Sequence, residues 1–335
     1  MISRRQFSQV IAAGMATAGL AACSAPTAAA PPATPAGHTS FGPLKQVDAG
    51  VLNQGYAEAG PADGPVVILL HGWPYDIHSY VDVAPLLAQD GYRVIVPYLR
   101  GYGTTTFKSG STVRNGQQSA VASDIIALMD ALKIQKAVIG GFDWGSRTAG
   151  VLAALWPERV KAQVLVSGYL ITNVEAQKQP LPPAAELGWW YQYYFATERG
   201  VLGYTRNRDE FNKLIWKTVS PRWNFDDATY QRTAQSFANP DHVAIVVHNY
   251  RWRLGLAPGD AQYDQLEQKL FAGPVLTPPT ITVSSDFDGA AMDGKAYRGK
   301  FSGKYDHRVL TGIGHNVPQE APVEFARAIR DADRL

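Results

Sequence analysis

Short apolar runs alternate with amphipathic stretches along the chain from residue 65 onward. The apolar runs are rich in Val, Ile and Leu, which is typical of parallel strands that are buried on both faces of a sheet. The stretches between them have the period of a helix with one buried face. The predicted strands are 66–70, 93–97, 137–140 and 163–167, and the predicted helices are 81–89, 119–132 and 146–153. This alternation predicts an α/β fold with a mostly parallel central sheet and helices on both faces.

The alternation stops after residue 171 and resumes near the C-terminus. Residues 172–265 are rich in Trp, Tyr, Arg and Pro, and they include helical stretches at 228–238 and 242–252. Further strands are predicted at 280–284 and 308–311, and a closing helix at 323–332. We therefore predict one α/β core, formed by residues 44–171 and 266–335, that is interrupted by a helical insertion at 172–265.

The composition is that of an ordinary globular protein. Of the 335 residues, 46% are hydrophobic, which gives ample material for a buried core. The formal net charge is +2, and charges of both signs are spread along the chain without a basic block. This pattern gives no support for nucleic-acid binding, and we set that class of function aside.

The N-terminus has the features of an export signal. Ser3-Arg4-Arg5-Gln6-Phe7 precedes an apolar stretch at 10–22 that is too short for a permanent transmembrane helix. This arrangement resembles a twin-arginine signal. Cys23 follows Leu20-Ala21-Ala22 as in a bacterial lipoprotein, which predicts a signal at 1–23, lipidation of Cys23 and a periplasmic, membrane-anchored protein. The alternative is a soluble secreted protein that is cleaved later, for instance after Ala30.

Residues 24–43 separate this signal from the folded part. They are rich in Ala, Pro, Thr and Ser with almost no charge, so they cannot form a packed core and are predicted to be a disordered tether. The folded domain is expected to start near Leu44. Because the chain has 1 cysteine, no intramolecular disulfide is expected.

A turn with the pattern small-x-nucleophile-x-small has the sequence Gly141-Phe142-Asp143-Trp144-Gly145. It lies between a predicted buried strand and a predicted helix, which is the context of a nucleophile elbow. Its glycines suit a strained turn in which strand and helix come close together. A carboxylate nucleophile favours displacement at a saturated carbon, as in epoxides and alkyl halides, over ordinary ester cleavage. The alternative is that Asp143 is only the N-cap of the following helix.

A second loop, His71-Gly72-Trp73-Pro74, directly follows the predicted strand 66–70. It therefore lies at the edge where ligands bind in open parallel sheets. The backbone N–H groups of Trp73 and Trp144 would form an oxyanion hole at this edge. The alternative is a tight turn with a satisfied histidine.

His315 is the candidate general base. It lies in Gly312-Ile313-Gly314-His315-Asn316 after a predicted strand, a setting that the other histidines lack. Asp286 follows the predicted strand 280–284 and is the candidate acid that orients His315. Asp288 and Asp293 are the alternatives for that role.

These motifs together make the chain similar to α/β-hydrolases of the epoxide hydrolase and haloalkane dehalogenase group, over residues 46–335. Asp143, Asp286 and His315 follow the chain order of nucleophile, acid and base in that fold. Further shared motifs are Arg100-Gly101-Tyr102-Gly103 and Pro318-x-Glu320-x-Pro322. The resemblance implies that residues 172–265 are a helical cap over the active site.

The cap distinguishes the two families of this group. Opening an epoxide requires an acid at the leaving oxygen, and epoxide hydrolases have a pair of cap tyrosines for this role. Tyr191-Gln192-Tyr193-Tyr194-Phe195 and Asn249-Tyr250-Arg251 resemble the two tyrosine motifs, which implies that Tyr191 and Tyr250 are the acids. The alternative is that these tyrosines, among 16 in the chain, only fill the core of the cap.

The chain also departs from the family pattern. Ala196-Thr197-Glu198-Arg199-Gly200 replaces a sequence of the Gln-Glu-Pro-Gly type, which indicates a divergent cap. Trp144 is shared with dehalogenases, and a second halide-binding indole could come from Trp189, Trp190 or Trp252. Trp73, however, stands where many dehalogenases have a halide-binding Asn, which favours an epoxide hydrolase.

We therefore expect hydrolysis of a small apolar epoxide to a vicinal diol through an ester on Asp143, with the cap tyrosines as acids and a His-Asp pair activating water. The expected substrate contacts are His71, Pro74 and Trp190. The resemblance implies no metal or organic cofactor and no partner beyond substrate and water, and the oligomeric state stays open. The alternatives are a haloalkane dehalogenase with the same triad and a catalytically silent, lipid-anchored binding protein.

Overall fold

A computed structural model describes residues 40–335. Its strands are β1 (Lys45–Ala49), β2 (Leu52–Ala59), β3 (Val66–Leu70), β4 (Arg93–Pro97), β5 (Thr106–Phe107), β6 (Ala137–Gly141), β7 (Val160–Val166), β8 (Thr280–Ser285) and β9 (Tyr305–Leu310). They form one sheet in the order β1-β2-β4-β3-β6-β7-β8-β9, and β5 pairs with β2. Strand β2 is antiparallel to its neighbours, whereas all pairs from β4 to β9 are parallel. The predicted α/β fold class is confirmed.

Helices of the core lie on both faces of this sheet, and further helices are inserted after β7. They are α1 (Val83–Gln89), α2 (Gln118–Ala131), α3 (Trp144–Leu155), α4 (Pro183–Gly188), α5 (Trp190–Ala196), α6 (Glu198–Val219), α7 (Asp227–Ala234), α8 (His242–Arg253), α9 (Asp264–Phe271), α10 (Val317–Glu320) and α11 (Pro322–Arg334). Helix α1 packs against α11, and α2 packs against α3. Helix α9 packs on α2 and α3, so it belongs to the core, although the boundary predicted at residue 265 falls inside it.

Helices α4 to α8 lie between β7 and β8, within the segment predicted as a cap. Helices α5, α6 and α8 pack against one another through aromatic rings. The inserted helices contact the core at Trp73, directly after β3, which packs against five of their rings. These rings belong to Tyr191, Phe195, Tyr204, Phe211 and Tyr250. The insertion therefore covers the carboxyl end of β3.

The predicted signal at 1–23, including Cys23, and residues 24–39 of the predicted tether lie outside the described residues. Within residues 40–335, no helix is both long enough and apolar enough to cross a membrane.

Candidate active site

Asp143 lies at the apex of a strained turn between β6 and α3. Its φ of 51° and ψ of −120° fall in a region that residues with a side chain seldom adopt. Gly145 permits the close approach of α3 to β3, because a Cβ at this position would lie 1.8 Å from the carbonyl oxygen of Leu70. Asp143 occupies the N-cap position of α3, but its carboxylate makes no capping hydrogen bond. The carboxylate is thus left for partners outside the helix.

The loop after β3 provides one of these partners. The backbone N–H of Trp73 donates a hydrogen bond of 2.8 Å to Oδ1 of Asp143. Gly72 makes room for this contact, because a Cβ there would lie 2.4 Å from the Cβ of Asp143. Trp144 is the first residue of α3, so its N–H belongs to the positive end of the helix dipole. The Trp73 N–H at Oδ1 and the Trp144 N–H at the start of α3 are the two groups predicted to form an oxyanion hole.

His71 and Pro74 have roles inside this loop. The His71 ring is fully buried, its Nδ1 lies 3.0 Å from the carbonyl oxygen of Gly72, and its Nε2 accepts from the N–H of Leu99 at 3.1 Å. Burial lowers the pKa of His71 to about 4, so the ring is neutral. The carbonyl oxygen of Pro74 accepts from the Trp216 indole at 2.8 Å. Backbone groups occupy both nitrogens of the His71 ring. His71, which was predicted to contact the substrate, therefore has no polar ring atom free to do so.

The imidazole of His315 faces Asp143, the candidate nucleophile. Its Nε2 lies 3.6 Å from Oδ2 of Asp143, and both side chains are mostly buried. Burial alone would raise the pKa of Asp143, but the interaction with His315 and the charge of Arg147 hold it below its ordinary value. Asp143, the candidate nucleophile, is therefore a carboxylate at neutral pH.

Glu320 fixes the loop that carries His315. Its carboxylate accepts from the N–H of Gly314 at 2.7 Å and from the N–H of Asn316 at 3.0 Å. It also accepts from the Ser220 hydroxyl at 2.7 Å, and that hydroxyl accepts from the His315 N–H at 2.9 Å. The sequence signal for this positioning residue was the Pro-x-Glu-x-Pro motif, but its partners are not evident from the sequence.

The structure does not join Asp286 to His315. Oδ2 of Asp286 accepts from the N–H of Gly312 at 3.0 Å and pairs with Arg222 at 2.8 Å. The Nδ1 atom of His315 is buried and has no hydrogen-bond partner among residues 40–335. The nitrogen that a catalytic acid would orient is thus still open.

The alternative acids do not contact this nitrogen either. Oδ2 of Asp288 accepts from the N–H of Ser285 at 2.9 Å, and Asp293 forms an exposed pair with Lys295 at 2.9 Å. Phe287, between the first two candidates, places its ring centroid 4.2 Å from that of His315. Asp286 and Asp288 therefore flank the residue that packs on the base, whereas Asp293 is held elsewhere.

Tyr191 on α5 and Tyr250 on α8 come together at Trp73, in the loop after β3. Their ring centroids are 5.3 Å apart, and they lie 5.0 and 5.2 Å from the Trp73 ring. Tyr191 is 6% exposed and Tyr250 is 1% exposed. Burial is the main cause that raises the pKa of each hydroxyl, and the negative charge of Asp143 raises it further. Both phenols are therefore protonated at neutral pH and can act as donors.

Three of the tryptophans singled out from the sequence have different surroundings. The indole N–H of Trp73 donates to the Tyr204 hydroxyl at 3.0 Å, so it braces the cap. The indole Nε1 of Trp144 is buried and makes no hydrogen bond of good geometry in the described part of the chain, but it interacts with the nearby Tyr250 hydroxyl. Trp190 is half-buried and packs against the rings of Tyr191 and Phe211 within the cap.

Sequence reasoning missed Arg147, one turn after Asp143 on α3. Its side chain is 6% exposed, and its Nε donates to the carbonyl oxygen of Leu170 at 3.2 Å. The i, i+4 spacing from the nucleophile was the available signal. Within residues 40–335, no group of three or more His, Cys, Asp or Glu side chains is arranged to hold a metal ion.

Residues 65–208 match the family model for the alpha/beta hydrolase fold. Epoxide hydrolase A of Mycobacterium tuberculosis is 32% identical over 312 residues, which are 84% of this chain and 94% of that protein. A crystal structure from Klebsiella pneumoniae, provisionally assigned as an epoxide hydrolase, has 59% identity and a TM-score of 0.86, covering 87% of this chain and 97% of its own. The alignment with epoxide hydrolase 3 of Siraitia grosvenorii, at 37% identity, spans 34% of that protein. The chain belongs to the α/β-hydrolase fold family and has relatives that are named epoxide hydrolases.

Proposed function

We propose that this protein hydrolyses an epoxide to a vicinal diol through a covalent ester on Asp143. One observation carries the proposal: two buried, protonated tyrosines of the cap, Tyr191 and Tyr250, pack on Trp73, whose N–H binds the Asp143 carboxylate. This arrangement supports epoxide opening, because it brings a carboxylate that can attack a carbon close to hydroxyls that can protonate the departing oxygen.

In the first step, Oδ2 of Asp143 attacks an epoxide carbon, because Oδ1 is held by the Trp73 N–H. The bond from that carbon to the epoxide oxygen breaks. The oxygen takes a proton from Tyr191 or Tyr250, and a hydroxyalkyl ester remains on the enzyme. General-acid help of this kind contributes roughly 10²- to 10⁴-fold to the rate.

In the second step, Nε2 of His315 takes a proton from water, and the hydroxide attacks the ester carbonyl carbon of Asp143. Negative charge then develops on Oδ1, where the N–H groups of Trp73 and Trp144 stabilise it. Each such donor is worth about 3 kcal/mol. The bond from the Asp143 carboxyl carbon to the alkyl oxygen breaks, this oxygen takes the proton held by His315, and the diol leaves. The proton left on the Asp143 carboxyl returns to the deprotonated tyrosine, so that the carboxylate, the imidazole and the phenol are all restored. Asp286 remains the proposed partner of His315, with Asp288 as the alternative.

The test of this proposal compares four variants on an aryl epoxide such as styrene oxide. Tyr191→Phe and Tyr250→Phe should each lower kcat, and the double variant should be nearly inactive. Tyr193→Phe is the matched control, because Tyr193 lies on the same helix as Tyr191, α5, but its side chain is 48% exposed. Full diol formation by the double variant would overturn the proposal.

One observation favours a second candidate function, haloalkane dehalogenase. The buried indole N–H of Trp144 makes no hydrogen bond of good geometry among residues 40–335, although it interacts with the Tyr250 hydroxyl, and it could bind a departing halide. The indole of Trp73 cannot be the second halide donor while it bonds to Tyr204. Bromide release from bromoalkanes that survives the double tyrosine change would favour this function over epoxide hydrolysis.

We also propose that the protein is exported by a twin-arginine route and anchored through a lipid on Cys23. The basis is the sequence of residues 1–23 alone. In a bacterial host, the full chain should partition into the detergent phase and Cys23→Ala should not. Equal partitioning of both forms would contradict the lipid anchor.

A further inference from the structure

Two arginine side chains at the candidate active site have no carboxylate partner among residues 40–335. The backbone N–H of Arg147 donates to the carbonyl oxygen of Asp143 at 3.0 Å, which fixes it one turn beyond the nucleophile. Its guanidinium is 6% exposed and donates from Nε to the carbonyl oxygen of Leu170 at 3.2 Å. It forms no ion pair with any residue from 40 to 335. Since a guanidinium has five N–H donors, most of this group is uncommitted.

Arg253 is the second of these side chains. It lies in the last turn of α8, and its Cζ is 5.7 Å from the ring centroid of Tyr250. Its Nε is buried without a hydrogen-bond partner, and it forms no ion pair in the described part of the chain. Arg251, on the same helix, pairs with Glu198 at 2.8 Å. Helix α8 therefore carries one arginine that Glu198 neutralises and one, beside the proposed acid Tyr250, that has no carboxylate partner among the described residues.

The two cations repel each other. Burial and, next, the charge of Arg253 lower the pKa of Arg147 to about 10, so Arg147 is still protonated at neutral pH. The charge of Asp143 acts in the opposite direction. An ester on Asp143 would remove that negative charge. A buried charge without a partner is strongly unfavourable, so the site then requires another anion.

We infer that Arg147 and Arg253 bind a carboxylate on the substrate, so that the protein acts on an epoxy acid in place of a neutral apolar epoxide. This inference rests on the proposed epoxide hydrolysis. The planar fork of a guanidinium matches a carboxylate through two parallel hydrogen bonds. A substrate carboxylate here would offset both cations throughout the covalent cycle.

A simpler role for Arg147 would be to keep Asp143 ionised. That role predicts that loss of Arg147 slows charged and uncharged epoxides equally, because both require the same nucleophile. Binding of a substrate anion predicts a selective loss for the charged epoxide. The ratio of kcat/KM values for a matched pair of substrates therefore separates the two roles.

The experiment uses the full chain with trans-3-phenylglycidate and its uncharged methyl ester. The wild type should prefer the acid by roughly 10- to 100-fold in kcat/KM, as expected for charged hydrogen bonds. Arg147→Met and Arg253→Met should each move the ratio towards one, and Arg147→Lys should keep part of it. Arg206→Met is the control for loss of one positive charge, because Arg206 is exposed on α6.

The outcomes separate this inference from the proposed function. If the wild type converts neither compound, nor styrene oxide, the epoxide hydrolase proposal fails. If it converts the ester as well as the acid, or if the ratio is unchanged in folded Arg147→Met, the inference fails and the function stands. Should Arg147→Met not fold, inhibition of the wild type decides the matter: 3-phenylpropanoate must compete better than 3-phenylpropanamide, and equal inhibition would overturn the inference.

Discussion

The backbone N–H of Trp73 donates a hydrogen bond of 2.8 Å to Oδ1 of Asp143. The loop after β3 and the turn after β6 are thereby joined at the one atom on which negative charge would develop during ester hydrolysis. Nε2 of His315, 3.6 Å from Oδ2, faces the other oxygen of the same carboxylate. The two oxygens of Asp143 thus have different surroundings, which suits one for attack and the other for the oxyanion.

Gly72→Ala should disrupt this relationship. The added Cβ would lie 2.4 Å from the Cβ of Asp143 and would force the loop and the nucleophile apart. We expect kcat to fall on the order of 10²-fold or more, as on loss of an oxyanion donor. Gly110→Ala is the control, because a Cβ at Gly110 meets nothing within 4 Å. Steady-state kinetics of the two variants test this expectation, with circular dichroism to confirm that both are folded to the same extent. An unchanged kcat in Gly72→Ala would count against the assigned role of the loop.

Glu320→Ala should loosen the loop that presents His315. The change leaves the N–H groups of Gly314 and Asn316 without their acceptor, so we expect a stability loss of about 2 kcal/mol and a lower kcat. Glu320→Gln retains one acceptor oxygen and should lose less. Urea denaturation and steady-state kinetics measure the two effects, and equal values for Ala and Gln variants would contradict this explanation.

The acid partner of His315 can be assigned by comparing Asp286→Asn with Asp288→Asn. The backbone N–H of Asp286 donates to the carbonyl oxygen of Ile313 at 3.0 Å, which ties Asp286 to the His315 loop. We therefore expect Asp286→Asn to slow ester hydrolysis by about 10³-fold, with the ester accumulating. Asp293→Asn is the control. The reverse result, with accumulation only in Asp288→Asn, would transfer the role to Asp288.

The pH dependence of ester formation should shift when His315 is replaced. The interaction with His315 is the largest influence that lowers the pKa of Asp143, and burial opposes it. In His315→Gln, burial should therefore raise this pKa, and the acid-side decline of the rate should move to higher pH than in the wild type. Single-turnover consumption of the epoxide, measured across the acidic range, gives the pH of this decline for the wild type and for His315→Gln. A decline in His315→Gln at the same pH as in the wild type, or at a lower pH, would show that His315 does not keep Asp143 ionised.

Much of the core could be predicted from the sequence. The runs at 66–70 and 93–97 coincide with β3 and β4, because strands buried on both faces are apolar throughout. The antiparallel strands β1 and β2 were not predicted, since their sequences mix polar and small residues. Helix α6, with 22 residues, was also not predicted, because its surface is largely polar.

The candidate site divides in the same way. Asp143 was evident from the glycines that its strained turn requires, and these lie next to it in the sequence. Glu320 and Arg147 depend on contacts with Ser220 and Leu170, which are distant along the chain. The ionic partner of Asp286, Arg222, and the open Nδ1 of His315 likewise follow only from the packing of separate loops.

Trapping the covalent ester tests the central claim most directly. His315→Gln, mixed with an epoxide that the wild type hydrolyses, should stall after the first step because no base activates water. Intact mass and peptide mapping should then find the whole mass of the epoxide on Asp143. No adduct, or an adduct on another residue, would contradict the account, and a bromoalkane adduct without its halide in place of an epoxide adduct would identify a dehalogenase.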